Sequence, residues 1–556
     1  MLHFIKPRWT PPSSDGIGIG MLMNSARPAI ISFVVFVLPT VAAIWCVPWF
    51  VTQDGPSHLY NAYLMSELLK GHSPAQEFYT LNWMPLPNVA GHWLLVALLQ
   101  FVSPRTADRI LMTLTSVGLA GALVWLRWRV AGRNGMAFII PLATLIALNT
   151  MWLKGFYNFL LGVSLFSITL GYWWANRERM GLKQSAILAV LLILVYFSHL
   201  VTALLTVFAL GLLCIMTPAY RYKARYFWTA ISLTPLIPLG LLYSRLMQEI
   251  GRIQPRWTRF PEALSALKDL AGYVNSADLF TTSRISIPLL EWTTPRLLLL
   301  RPSLWLALGL SVLIVGTLLS HLHEAKVWLR NYSAWIILAS CLILAWVAGP
   351  NSFGVHGGLF RMRVLLLAVI ALIPILNVVR RNVCVWIGAG GLTVALIIQS
   401  AAVWDIALTT DRSAPVFIEA IPEIGTGKRI GMLRIDMPER GSVYPLLHMD
   451  NMIGIGTGNV VWHNYEAATY YFPVQHRGPA NRNLVKQFDR IHLIRTDASD
   501  LDRKLERWTQ LLSEHHSKID ILMVWGRDPK IDEINRQWYR PEPFFQRDNL
   551  RAFARH

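Results

Sequence analysis

Past its first long apolar run the chain reads Val51-Thr52-Gln53-Asp54-Gly55-Pro56-Ser57-His58. A carboxylate at the edge of a membrane-length segment is partly desolvated, which raises its pKa, while a polar substrate still reaches it. Asp54 and His58 are therefore candidate catalytic residues. The plainer alternative is helix capping, because an Asp or Ser ahead of an amphipathic helix satisfies its free N–H groups. Ser57 fits that role.

Other residues suit an anionic ligand. Lys154-Gly155-Phe156-Tyr157-Asn158 opens an apolar run, so Lys154 and Asn158 could hold a phosphate together with the free N–H groups of a helix start. The alternative is a Lys reaching to the interface, with Gly155 allowing close packing. His199 falls between two apolar runs, where a polar residue is a functional candidate, or occupies a tight outer turn. Gly354-Val355-His356-Gly357-Gly358-Leu359-Phe360-Arg361-Met362-Arg363 enters a later run. Arginines on the outer side depart from the usual charge bias, and a bidentate phosphate is a reason to keep them there. His356, Arg361 and Arg363 join the phosphate-binding candidates, chiefly Arg361.

No motif supports a metal. There is no Cys/His ligand spacing, no paired Asp follows Asp54 in its loop, and the adjacent His515 and His516 cannot face one ion from a helix. A divalent cofactor is open without being indicated. Near the C-terminus, Trp462-His463-Asn464-Tyr465-Glu466 and Tyr470-Tyr471-Phe472-Pro473 form an aromatic, polar patch. The glycines at 454–458 follow Asp450-Asn451 but lack the Lys-Ser/Thr of a nucleotide loop, and read as a loop packing under the membrane part.

The elements that position these residues are mostly apolar. Of the 556 residues, 54% are hydrophobic and 15% charged, against about 25% charged in soluble chains. Mean hydropathy is +0.41. Apolar runs fill 29–404, many ending in Trp as bilayer interfaces favour. After Thr409 charge returns. The expected division is a cytoplasmic tail at 1–28, a multi-span region at 29–408 with outer loops at 51–88 and 248–302, and an extracytoplasmic α/β domain at 409–556. The first run reads as a retained signal anchor, since no small-residue cleavage site follows it. The net charge of +19 gathers in short loops between runs, as the positive-inside rule expects. With no nucleic-acid motif beside it, nucleic acid is not an expected partner.

Roughly twelve spans are expected. Walking inward from each end gives orientations that disagree by one crossing near Arg127, Arg129 and Arg133, and a thirteenth helix would reconcile them. Leu59–Leu69 has helical periodicity and reads as a helix lying on the membrane surface. A helix is expected near Pro261–Ala271. In the C-terminal region, strands are expected at Lys428–Ile435 and Ile519–Trp525, with a helix at Leu501–His515 between them. The four cysteines, all in or beside apolar runs, read as core residues.

This layout resembles the GT-C superfamily of membrane glycosyltransferases, which includes the protein O-mannosyltransferases and the aminoarabinose transferases of lipid A. In that family an acidic residue of the first outer loop follows the first span, ahead of surface helices, and many members end in a soluble extracytoplasmic domain. The resemblance implies a transferase in a bacterial-type inner membrane. It would move a sugar from a polyprenyl-phosphate carrier to a glycan, lipid or protein acceptor on the outer face. It also implies that Asp54 is the base or the acceptor-orienting carboxylate. Family members commonly carry an acidic pair there, whereas this chain has Asp54-Gly55. The sequence leaves two alternatives: a transporter or flippase of polyprenyl-linked glycans, and a non-enzymatic assembly protein for envelope polysaccharide. Polar candidates gathered in one outward cavity favour the transferase. Candidates lining a path through the bilayer midplane favour the transporter.

Overall fold

The computed structural model describes residues 19–71, 75–217, 222–250, 255–256, 301–350, 352–353, 358–378, 382–440 and 443–556. The expected helix near Pro261–Ala271 and His356 lie outside them. Among the described residues, six helices are long and apolar enough to cross a membrane: Arg27–Cys46, Pro104–Ala131, Tyr157–Asn176, Pro302–Ser320, Leu322–Ala348 and Val383–Ile424. A bent pair, Lys223–Leu233 with Leu236–Met247, makes a seventh if it is one span. Met136–Ala147, Leu182–Ser198 and Leu200–Met216 are shorter apolar helices. The protein is a multi-pass membrane protein with a small α/β region at its C-terminal end.

Three of the apolar runs expected to span, 89–103, 135–151 and 362–378, form shorter helices than hydropathy suggests, the second only Met136–Ala147. The run at 89–103 forms only the nine-residue helix Ala90–Leu98, because Ser103 caps the next helix by accepting from the Thr106 N–H and Pro104 opens it. The run at 362–378 forms the 13-residue helix Phe360–Leu372. No extra helix lies near Arg127. Pro104–Ala131 is continuous there, and the buried Arg127 guanidinium donates to the carbonyls of Leu376, Gly132 and Asn134. The final long helix runs on to Ser413, past the boundary expected at 408.

Beyond it stands a five-stranded sheet. Val460–Val461, Arg429–Arg434 and Ile521–Trp525 run parallel, and Leu550–Ala554 and Phe545–Arg547 add antiparallel strands at one edge. The fully buried strand Ile521–Trp525 is apolar throughout, as a central strand covered on both faces must be. Helices Pro479–Ile491 and Leu501–His515 flank the sheet.

The loop at 51–88 is held between the membrane helices and this C-terminal region. Its helix, Gly55–Lys70, is buried over most of its length, which corrects the expectation of a helix lying on the membrane surface. The residues opposite its apolar stripe pack on protein: Tyr60 donates to the Asn459 carbonyl, and the Asn61 and Asn464 amides exchange reciprocal hydrogen bonds. Gly454, in the glycine-containing loop, packs on the Tyr60 ring, leaving no room for a Cβ. Strand Tyr79–Leu81 of the same loop pairs antiparallel with Val474–His476. Amide pairs and ladder bonds of this kind fix register between two regions distant in sequence.

Candidate functional site

The chain leaves the first helix at Cys46 and is pinned before it turns. The Gln53 and Asp54 N–H groups donate to the carbonyls of Leu153 and Lys154, at 3.0 and 3.1 Å. Gly155, at φ +80°, lies against this segment. A Cβ there would stand 2.9 Å from Gly55 N and 3.0 Å from Asp54 N. The Lys154-Gly155 pair thus works through its backbone as a clamp on Asp54. Asp54 occupies the N-cap position of Gly55–Lys70, yet its side chain makes no capping bond, and Ser57 lies inside the first turn rather than capping it. The carboxylate is turned into a cavity instead.

Its neighbours set its chemistry. Oδ1 accepts from Gln53 Nε2 at 3.3 Å and Oδ2 from the Tyr465 hydroxyl at 3.3 Å, while His448 Nε2 stands 3.6 Å from Oδ1. Burial raises the carboxyl to about 6, with His58 pulling it down, Glu466 pushing it up, and Gln53 and Lys154 lowering it less. A carboxyl there titrates just below neutrality, where a general base is effective.

Behind Asp54 lies a buried charge cluster. Glu466 Oε1 is 2.8 Å from His58 Nδ1, and Oε2 is 2.7 Å from His92 Nε2. His58 Nε2 faces the Gly155 carbonyl at 3.0 Å. The 2.8 Å contact of its Nδ1 with Glu466 is one of charge rather than of hydrogen-bond geometry. Burial alone would lower the pKa of His58, but Glu466, Asp54 and the carbonyl lift it to about 9. Burial would raise Glu466, and the two imidazoles hold it well below the ordinary carboxylate range. Burial lowers the pKa of His92, outweighing the pull of Glu466. His92 donates from Nε2 to the carboxylate and accepts at Nδ1 from Asn158 Nδ2 at 3.4 Å. The ligand atoms of His58, His92 and Glu466 lie within 4.8 Å of one another, and two imidazoles with a carboxylate suit a zinc-type ion.

The cavity has a volume of about 360 Å³. Its lining includes the polar residues Asp54, His58, His448, Tyr465, Asp489 and His492 and the apolar residues Phe156, Phe159, Leu200, Val201 and Leu359. Arg363 lines it too, with its guanidinium 5.5 and 5.4 Å from the rings of Phe156 and Phe159. Among the described residues its buried Nε has no hydrogen-bond partner.

Of the residues singled out from sequence, Asp54, His58, Asn158, His199 and Arg363 come together at this cavity. Asn158 holds the His92 helix, accepting from the Gly91 N–H and donating to the Asn88 carbonyl. His199 stands at the junction of two helices, edge-on to Phe159. Lys154 does not line the cavity. Nor does Arg361, the arginine favoured by sequence, whose Nε donates to the Trp346 carbonyl at 2.8 Å. Glu466, His92, Tyr465, His448, Asp489 and His492 were not identified from sequence, although Tyr465 and Glu466 fall in the polar, aromatic stretch noted there. A second carboxylate, Asp108, lies behind Gly55, accepting from the Tyr157 hydroxyl, which in turn meets Thr52 Oγ1.

No family model matches the chain, and no curated protein matches it. Two solved structures align with it over almost their full length. ArnT from Cupriavidus metallidurans in the apo state is 13% identical, with a TM-score of 0.40, covering 96% of this chain and 98% of that one. The same protein bound to undecaprenyl phosphate is 12% identical, with a TM-score of 0.40, covering 97% and 98%.

Proposed function

We propose that this protein is a membrane glycosyltransferase of the GT-C type, moving a sugar from a polyprenyl-phosphate carrier to an acceptor hydroxyl on the extracytoplasmic face. The observation that carries the reading is the meeting of Asp54 and Arg363 in one cavity whose lining is both polar and apolar. The apolar lining suits the lipid end of the donor. Arg363 binds its phosphate and stabilises charge on that phosphate as it leaves. Asp54 takes the proton of the acceptor hydroxyl, whose oxygen bonds to the anomeric carbon as the carbon–oxygen bond to phosphate breaks. The charges of His58 and Glu466 tune Asp54.

Orientation is consistent with this reading. With Ala90–Leu98 not crossing, Asp54 and Lys154 share one side of the membrane with the C-terminal region. Arg127, Arg129, Arg177, Arg179, Arg225, Lys326 and Arg330 take the other side, which the positive-inside rule makes cytoplasmic. Removing a crossing, rather than adding one, reconciles the two walks along the sequence.

A transporter would share the lipid and the arginine. The gathering of the polar residues in one cavity beside the first outer loop favours transfer over passage. Reconstituting the purified protein in vesicles with labelled polyprenyl-phosphate sugars and an envelope-lipid extract separates the two. Covalent transfer of label to the acceptor is expected. Movement of intact donor across the bilayer without transfer would overturn the proposal.

A further inference from the structure

Resting on that reading, the reaction leaves one proton per turnover on a buried carboxylate. The acceptor loses O–H, the sugar gains the acceptor oxygen, and the bonding pair of the broken carbon–oxygen bond departs with the phosphate. The proton then has to leave Asp54 before the next cycle, and Asp54 itself is only 6% exposed.

From the contact between His448 and Asp54, and the ring series running outward from it, we infer that His448 and His492 form a proton-relay path from Asp54 to solvent. His448 Nε2 stands 3.6 Å from Asp54 Oδ1, so closing by less than about an ångström makes a hydrogen bond. Its other nitrogen, Nδ1, is buried with no hydrogen-bond partner among the described residues, which leaves a second port on the same ring. The His492 ring centroid lies 6.3 Å from that of His448, with His463 6.1 and 6.2 Å from the two. His492 and Asp489 line the cavity and carry side chains 43% and 58% exposed, with Nδ1 and Oδ1 3.9 Å apart. The series thus runs from the buried base to the surface.

The groups around His448 keep it a conductor rather than a store. Arg434, His492 and His58 face it with positive charge or its potential, and Glu466 with negative charge. Burial comes first and drives its pKa well below the ordinary value. Arg434 is itself held by Asp450 at 2.7 Å and reaches His463 with Nη1. A neutral imidazole takes a proton on one nitrogen and gives one from the other. One that binds protons weakly passes them on. His448 acts through Asp54 and does not itself touch the reacting atoms.

The test is His448→Gln in the full-length protein, with transfer measured across a series of imidazole concentrations. The path requires kcat to fall at least tenfold with KM for the donor unchanged, and free imidazole to restore it in proportion to its concentration. His492→Gln should show a smaller loss with the same rescue. Unchanged kcat in His448→Gln, or a loss that imidazole does not relieve while the variant keeps its Tm, would overturn the relay and leave the transferase standing. Absence of transfer by the wild-type protein would refute the underlying reading instead, and the relay with it.

Discussion

Glu466 Oε1 lies 2.8 Å from His58 Nδ1, joining the C-terminal region to the loop after the first helix by a buried ion pair. Removing one partner of such a pair strands the other charge, at a cost of about 3–5 kcal/mol. Glu466→Gln is therefore expected to lower Tm sharply. His58→Gln combined with Glu466→Gln should recover part of the loss, because neither charge is then stranded. Thermal unfolding in detergent checks both, and equal Tm in the two variants would contradict the pairing.

The same pair predicts a direction with pH. The folded pKa of His58, about 9, stands above its ordinary 6.5. Its contribution to stability is fully present below about pH 6.5 and is lost as pH rises through about 9. Tm of the wild type is expected to fall over that interval more steeply than Tm of the double variant.

Gly155 tests the clamp. A side chain there meets both a left-handed backbone, costing about 1–3 kcal/mol, and the N–H groups of Asp54 and Gly55. Gly155→Ala should leave a folded protein that still binds donor, with transfer reduced by as much as about 100-fold, since a misplacement near 1 Å costs that much. Transfer at the wild-type rate would show that Asp54 does not depend on this contact.

Two arginines separated by one residue are expected to behave differently. Arg363→Ala removes the cavity guanidinium and should weaken binding of a polyprenyl phosphate by about 1.5–3 kcal/mol, the worth of a charged hydrogen bond. Arg361→Ala should leave binding nearly unchanged. Titration of each variant with undecaprenyl phosphate decides the matter.

That contrast also shows where the sequence stops informing. Positions 361 and 363 lie about 200° apart around a helix and face different neighbours, and neither composition nor hydropathy says which one turns inward. The helix Leu501–His515 and the strand ending at Trp525 were legible because periodicity and β-branched runs are local signals. The position of Asp54 was legible because it is defined by the end of an apolar run. The pairing of Glu466 with His58 and His92 has no local signal, since it depends on strand Tyr79–Leu81 meeting Val474–His476. Hydropathy likewise took 89–103 for a span, because an apolar nonapeptide packed inside protein has the composition of a short membrane helix.

Burial sets Asp54 near 6, and a base must be deprotonated to act. The transfer rate under kcat/KM conditions should rise with pH through an apparent pKa near 6, then level off. The most direct measurement compares wild type with Asp54→Asn for sugar transfer from labelled donor, with donor binding measured on the same preparations. The expected result is intact binding, transfer lowered by about 10²-fold or more, and disappearance of the limb near pH 6. Transfer by Asp54→Asn at the wild-type rate, with that limb unchanged, would remove Asp54 from the reaction and contradict the central claim.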